Sequence, residues 1–239
     1  MIQAFKMAMK SISGNKFRAF LTMLGIIIGV MALVILVSLV SGATGTVTDT
    51  IASLGNNLLT VTVSDDKGAP VTLDTLDEWM ADPQIGLAAP SATTTATGKY
   101  SSTTKTVTVY GATPAYAPIN GQTVLLGRFL TQADVENHTS VCIITEKTAE
   151  DMVGYTDCLG EEISLDGRKF TVVGILKNDD ESLTGILTKN SMIAYIPYTT
   201  LMRLSATVSS TITSFSVSAP EGGNMAATES AMKRLLLDR

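Results

Sequence analysis

The stretch AFLTMLGIIIGVMALVILVSLV, residues 19–40, constrains this chain more than any other part of it. Its 22 residues carry no charge. As a helix they reach about 33 Å, enough for a hydrocarbon core of about 30 Å. Fourteen of the 22 are Leu, Ile, Val or Phe, and at roughly 0.3–0.6 kcal/mol each they favour insertion by about 4–8 kcal/mol. A cleaved secretion signal has a shorter apolar core, about 7–15 residues, and a small-residue cleavage pattern after it. Here SGATGTVTDTIASLG follows without such a pattern. One membrane-spanning helix at 19–40 is the expectation.

Charge sets its orientation. Residues 1–18 hold Lys6, Lys10, Lys16 and Arg18 and no acid, while the rest of the chain sums to −9 and the whole to −5. Basic flanks stay in the cytoplasm, so the chain beyond Val40 is expected outside the cell membrane. Within 2–12, Ile2, Phe5, Met9 and Ile12 share one helical face, with Lys6 and Lys10 off it. That pattern suits a short amphipathic helix on the inner leaflet, the alternative being an unstructured basic tail. Gly25 and Gly29 form a G-x-x-x-G pair that lets a second helix approach closely, a feature an inert anchor does not need.

No second stretch beyond residue 45 is apolar enough to span, so about 195 residues remain for one good-sized outer domain or two small lobes sharing a core. The acidic balance and an aromatic content of 5% exclude a nucleic-acid surface. Cys142 and Cys158 read either as two buried small hydrophobes or as a disulfide closing a loop of about 17 residues.

The local signals place elements along the outer part. NLLTVTVS (57–64) is a strand, and Thr72 caps the helix LDTLDEWMAD, with Thr75 as an alternative start. IGLAAPSATTTATGKY and SSTTKTVTVYGATP are Thr/Val-rich strands joined near Gly98. Strand–turn–helix and strand–helix units follow in TVLLGRFLTQADV and SVCIITEKTAEDMVG. In EEISLDGRKFTVVGIL, Asp166-Gly167 between alternating runs predicts a hairpin with a type I′ turn. KNDDESLTGILTKNS is a polar loop, MIAYIPYTTLMRLS a strand and short helix, SSTITSFSVSAP a strand, and EGGNMAATESAMKRLLLDR a helix. Mixed strands and helices with hairpins indicate an α+β fold rather than a doubly wound parallel sheet.

Chemistry-bearing motifs are sparse. The only histidine, His138, lies in the polar turn ENHTS and reads as a solvated surface residue. There is no G-x-S-x-G, H-E-x-x-H, EF-hand loop, C-x-x-C or P-loop. Asp179-Asp180-Glu181 reads as a solvated loop rather than a calcium site. Neither a catalytic residue, a cofactor nor a metal site is expected.

Residues 15–61, NKFRAFLTMLGIIIGVMALVILVSLVSGATGTVTDTIASLGNNLLTV, resemble the first transmembrane segment and exit helix of MacB/FtsX-type ABC transporter permeases. LLGRFLTQADV (125–135), DCLGEEISLDGRKFTVVGIL (157–176) and IAYIPYTTL (193–201) are similar, in the same order, to that family's external core domain. The resemblance implies a cytoplasmic segment at 1–18, a transmembrane helix at 19–40 and a two-lobed extracytoplasmic domain at 41–239. One lobe would be a split β-α-β porter-like unit and the other a β-rich insertion at about 97–205. It implies a permease that couples cytoplasmic ATP hydrolysis to conformational change outside, exporting or extracting an amphiphilic cargo such as a peptide, an antibiotic or a lipoprotein. Hydrolysis would reside in a separate or fused ABC ATPase, and a second permease copy would complete a dimer in the bilayer. Phe5, Lys6, Met9 and Lys10 would then face the inner surface near the ATPase, and Gly25 and Gly29 a helix-packing seam. Two departures stand out. The family shows DPVG where this chain has DCLG, and Arg239 falls in what the resemblance implies is the last porter-lobe helix. The chain is therefore expected to be an N-terminal part or subunit; a single-pass anchored binding or sensor domain is the rival reading.

Overall fold

A computed structural model of the chain describes residues 16–53, 58–64, 68–178 and 191–238. The chain divides into two units, one up to Ile51 and one from Ala52 onward. The amphipathic segment expected at 2–12, with Phe5, Lys6, Met9 and Lys10, lies outside the described residues, as do Gly55 and most of the polar loop at 177–191.

The first unit is one helix, α1 (Lys16–Ser53), of 38 residues. Its side chains are described at 17, 20–35, 37 and 38, and every one is exposed, Ile26 by 67% and Leu33 by 65%. Apolar residues occupy all sides of it, so no single stripe faces a core. Among the described residues no helix is long and apolar enough to cross a membrane; the unbroken described run, 20–35, covers about 24 Å of axis.

The second unit holds two sheets. In the smaller, β1 (Leu58–Thr62), β10 (Ser214–Ser218) and β2 (Ala88–Pro90) lie in the order β1-β10-β2. Both outer strands are antiparallel to β10, so β1 and β2 run parallel with β10 between them. The connection from β1 to β2 carries α2 (Leu73–Trp79), and β10 leads into α7 (Met225–Leu237). This is a split β-α-β arrangement. Its core joins Val61, Leu76, Trp79, Phe215, Val217 and Met232, with the Trp79 and Phe215 rings 5.7 Å apart. Thr72 is the α2 cap; its Oγ1 accepts from Thr75 N–H and Thr75 Oγ1 accepts from Thr72 N–H, so the alternative start residue is the second half of a capping box.

The larger sheet closes on itself. Its strands are β3 (Ala92–Tyr100), β4 (Thr103–Ala112), β5 (Val124–Gly127), β6 (Val141–Thr145), β7 (Glu162–Leu165), β8 (Arg168–Leu176) and β9 (Ile193–Pro197). The order is β5-β8-β6-β9-β4-β3-β7, and β7 pairs back onto β8. Six strands thus make a small barrel, with β5 on the upper edge of β8. β4–β9 and β6–β8 are parallel and the other pairs antiparallel. The mixed order agrees with an α+β reading.

Two residues make the closure. Asp166 and Gly167 both have positive φ, 48° and 83°, as a type I′ turn requires. Asp166 then clasps β3: its Oδ1 accepts from Thr97 N–H at 2.7 Å and its N–H donates to Thr97 O at 3.0 Å. The turn expected near Gly98 lies instead at Ser101, with φ 49° and Tyr100 opposite Thr103. Gly98 is inside β3, opposite Lys105 on one side and Leu165 on the other, where a Cβ would run into Val107 and Met152. It permits close approach in the barrel wall rather than a bend.

Val107, Val109, Ile144, Ile163, Phe170 and Ile196 fill the barrel interior, as expected where so few strands leave room only for side chains. α5 (Glu146–Met152) contributes Ala149 and Met152 to the same core. α6 (Tyr198–Leu204) joins the two cores, placing Tyr198 in the small-lobe cluster and Leu201 in the barrel cluster.

Candidate functional site

Where α2 and β2 face the short helices beside the barrel, there is a cleft of about 440 Å³. That volume falls within the range of small-molecule sites, about 300–1,000 Å³. Leu73 and Leu76 of α2, Met80 just after it and Leu87 before β2 line one side. The other side is Pro114 and Ala115, Pro118 of α3 (Tyr116–Ile119) and Val135 of α4 (Gln132–Glu136). Thr199 of α6 completes the lining, and its hydroxyl donates to Val135 O, tying α4 to α6.

α4 is held by a buried carboxylate. Asp134 accepts from Thr131 N–H at 2.9 Å and from Thr131 Oγ1 at 2.7 Å, and Arg128 reaches both its oxygens at 2.6 and 3.2 Å. Burial alone would raise the Asp134 carboxyl, but the hydrogen bonds from Arg128, Thr131 and Thr139 outweigh it and hold the group well below the usual carboxylate range. α4 therefore presents Val135 and Glu136 to the cleft from a fixed base.

The rim is acidic. Asp74 and Asp77 stand on α2 and Glu136 on α4, all exposed and all lining the cleft. Burial first, then the charges of Asp74 and Glu136, push the Asp77 carboxyl up. The three negative groups thus share one field across the opening, and the lining includes neither Lys nor Arg. Among the described residues no three His, Cys, Asp or Glu side chains come together as metal ligands.

Two wall residues carry unsatisfied polar atoms. Thr113 Oγ1 and His138 Nδ1 are buried and have no hydrogen-bond partner among the described residues. His138 corrects its sequence reading: it is half-buried, takes φ 51° just after α4, and lines the cleft rather than standing in solvent. Since neither atom bonds the other, no nucleophile–base pair is formed here.

The residues singled out by sequence lie elsewhere. Gly25 and Gly29 are on α1, where a Cβ would meet nothing within 4 Å. Cys142 and Cys158 are free thiols in the barrel core, 0% and 1% exposed. Burial raises both, and each thiol or acid nearby adds to the effect. None of these lines the cleft. Asp74 and Asp77 were findable, since they share the solvent face of an amphipathic helix whose Leu76 and Trp79 are buried. Glu136, Thr113 and His138 carried no local signal.

The family model for the MacB-like periplasmic core domain matches residues 19–235. The macrolide export ATP-binding/permease protein MacB of Neisseria gonorrhoeae (strain ATCC 700825 / FA 1090) is 26% identical over 245 residues, covering 100% of this chain and 37% of its own length. Macrolide export ATP-binding/permease protein MacB 1/2 of Paracoccus denitrificans (strain Pd 1222) is 30% identical over 206 residues, covering 83% and 30%. This chain therefore spans about a third of the length of such relatives. Among solved structures, the periplasmic region of MacB from Actinobacillus actinomycetemcomitans aligns with TM-score 0.65 at 21% identity, over 78% of this chain and 85% of that one. The extracellular domain of the noncanonic ABC-type transporter YknZ from Gram-positive bacteria aligns with TM-score 0.60 at 21% identity, over 76% and 94%.

Proposed function

The chain belongs to the MacB-like periplasmic core domain family, and from that premise we propose that it is the first membrane helix and external domain of an ABC-type permease. Its work is to couple ATP hydrolysis by a cytoplasmic ABC ATPase to movement outside the membrane, exporting or extracting an amphiphilic cargo. The carrying observation is continuity: one family match runs from residue 19, inside the apolar stretch, to residue 235, inside α7. Helix and outer domain are thus parts of one inherited unit rather than a domain on an arbitrary tether.

α1 supports the same reading. At 38 residues it is about 57 Å long, well beyond the about 30 Å of a hydrocarbon core. Its exposed apolar side chains suit lipid at 19–40, and the remaining turns run as helix through SGATGTVTDTIAS. A stiff exit transmits displacement that a coil would absorb. In this reading Gly25 and Gly29 form a seam with another permease helix, and Phe5, Lys6, Met9 and Lys10 meet the inner leaflet beside the ATPase. The outer domain comprises the split β-α-β lobe and the inserted barrel lobe at about 97–205. Chemistry on ATP is left to the partner subunit.

Affinity purification of the full chain from mild detergent is expected to bring down a P-loop ATPase. Replacing Lys6 and Lys10 with Glu is expected to weaken that association by about tenfold. Glu221→Cys, on the exposed surface of the outer domain, is expected to label with a membrane-impermeant maleimide in intact cells. Absence of any ATPase, or protection of that cysteine until cells are opened, sinks the reading.

A further inference from the structure

The cleft has a specific chemistry, and we infer that it binds a small organic cation: one ammonium group on a compact apolar body, seated with its charge between Asp77 and Glu136 and its body against Leu73, Met80 and Val135. This deepens the transport reading by naming the cargo's class.

Four observations select that guest. The walls are apolar on both sides, so burying hydrocarbon there is favourable at about 25 cal/mol per Å². The opening carries Asp74, Asp77 and Glu136 with neither Lys nor Arg among the lining residues, which repels anions and leaves mutual repulsion among the acids. Burial first, and then the charges of Asp74 and Glu136, push the Asp77 carboxyl up, and a bound cation relieves the charge part. Thr113 Oγ1 and His138 Nδ1, on residues that line the cleft, are buried and have no hydrogen-bond partner among the described residues, so the wall holds unmet bonding capacity just behind its surface.

The alternatives fit less well. A divalent metal needs ligands converging on one point, and no three acidic, His or Cys side chains do so among the described residues. A peptide adding as a strand needs a free ladder edge. β2 is only three residues long, with β10 on one side and α3 packed against it. A compact guest within about 440 Å³ remains.

Three isosteric probes test this directly: 1-adamantylammonium, 1-adamantanol and adamantane-1-carboxylate. Each is titrated against the full chain in zwitterionic micelles. Trp79 is the reporter, being the only tryptophan in the chain and part of the helix that lines the cleft. The ammonium is expected to bind about tenfold tighter than the alcohol, with the carboxylate weakest. The rim variant Asp77→Asn/Glu136→Gln is expected to bring ammonium and alcohol within about threefold of each other. Alcohol affinity should move by less than about threefold, and the thermal midpoint should not fall, because both side chains are exposed and the substitutions remove repulsion. Equal binding of the three probes, an ammonium preference that survives the double substitution, or no saturable response up to about 10 mM each overturns the inference. The two readings fail separately. A chain that captures an ATPase but does not discriminate among the probes sinks only the cleft assignment. One that selects the ammonium but captures no ATPase sinks only the transport role.

Discussion

Asp134 shows how much a single side chain organises here. It is 5% exposed, yet ionised, because five hydrogen bonds reach it, two of them from the Arg128 guanidinium. Asp134→Asn removes the charge and the Arg128 pair, and a loss of about 2 kcal/mol is expected in urea unfolding at pH 7. A carboxyl depressed in the folded state adds stability above its unfolded pKa, near 4, and loses it as pH falls through the lower folded value. The gap between parent and variant should therefore be full at pH 7 and close from about pH 4 downward; a pH-independent gap would point to packing alone. Cys142 and Cys158 are a second residue-scale case. They lie in one core cluster and are free thiols, and burial keeps both thiols up and poor in thiolate. We propose that they can be bridged only before the barrel closes. Refolding with oxidised glutathione is expected to give a two-dalton mass loss, the two thiol hydrogens passing to glutathione, with about 3 kcal/mol of added stability. The folded protein under the same oxidant should keep its mass. No deficit in either sample removes the pair.

At the scale of elements, the readable ones were those whose signals lie within a few residues. The capping box of Thr72 and Thr75, the Asp166-Gly167 turn and the alternation in β8 are local, and each element stands where that local chemistry placed it. The Gly98 turn was misread for the converse reason. Glycine serves both bends and close approaches, and only the neighbouring strands tell which. Gly174 is a case of close approach, since a Cβ there would meet the carbonyl oxygen of Arg128. Gly174→Ala is expected to destabilise the outer domain by about 1–3 kcal/mol, read as a lower urea midpoint. An unchanged midpoint would mean that the Arg128 turn can yield.

For the whole outer domain, α6 decides whether the lobes behave as one. With Tyr198 in one core and Leu201 in the other, separating the lobes exposes both. Cooperative unfolding is therefore expected, with Trp79 fluorescence from the small lobe and near-UV dichroism from Tyr110, Tyr116 and Tyr195 coinciding within about 0.2 M urea. Leu201→Ala should lower both transitions by about 2–5 kcal/mol. Two separate transitions would show lobes that fold independently and share only the chain.

The amino-acid sequence by itself determined whatever nearest neighbours along the chain can encode. That covers the charge-free run at 19–40 with its basic flank, the helix cap, the hairpin and the family to which the chain belongs. Tertiary structure alone decided the closed barrel and the cleft. Asp77 and Glu136 lie on different helices far apart in sequence, and no periodicity links them. They share a field only because Thr199 ties α4 to α6, whose Tyr198 packs in the same core as Leu76 of α2. Electrostatic coupling depends on distance in space, which a local pattern does not contain.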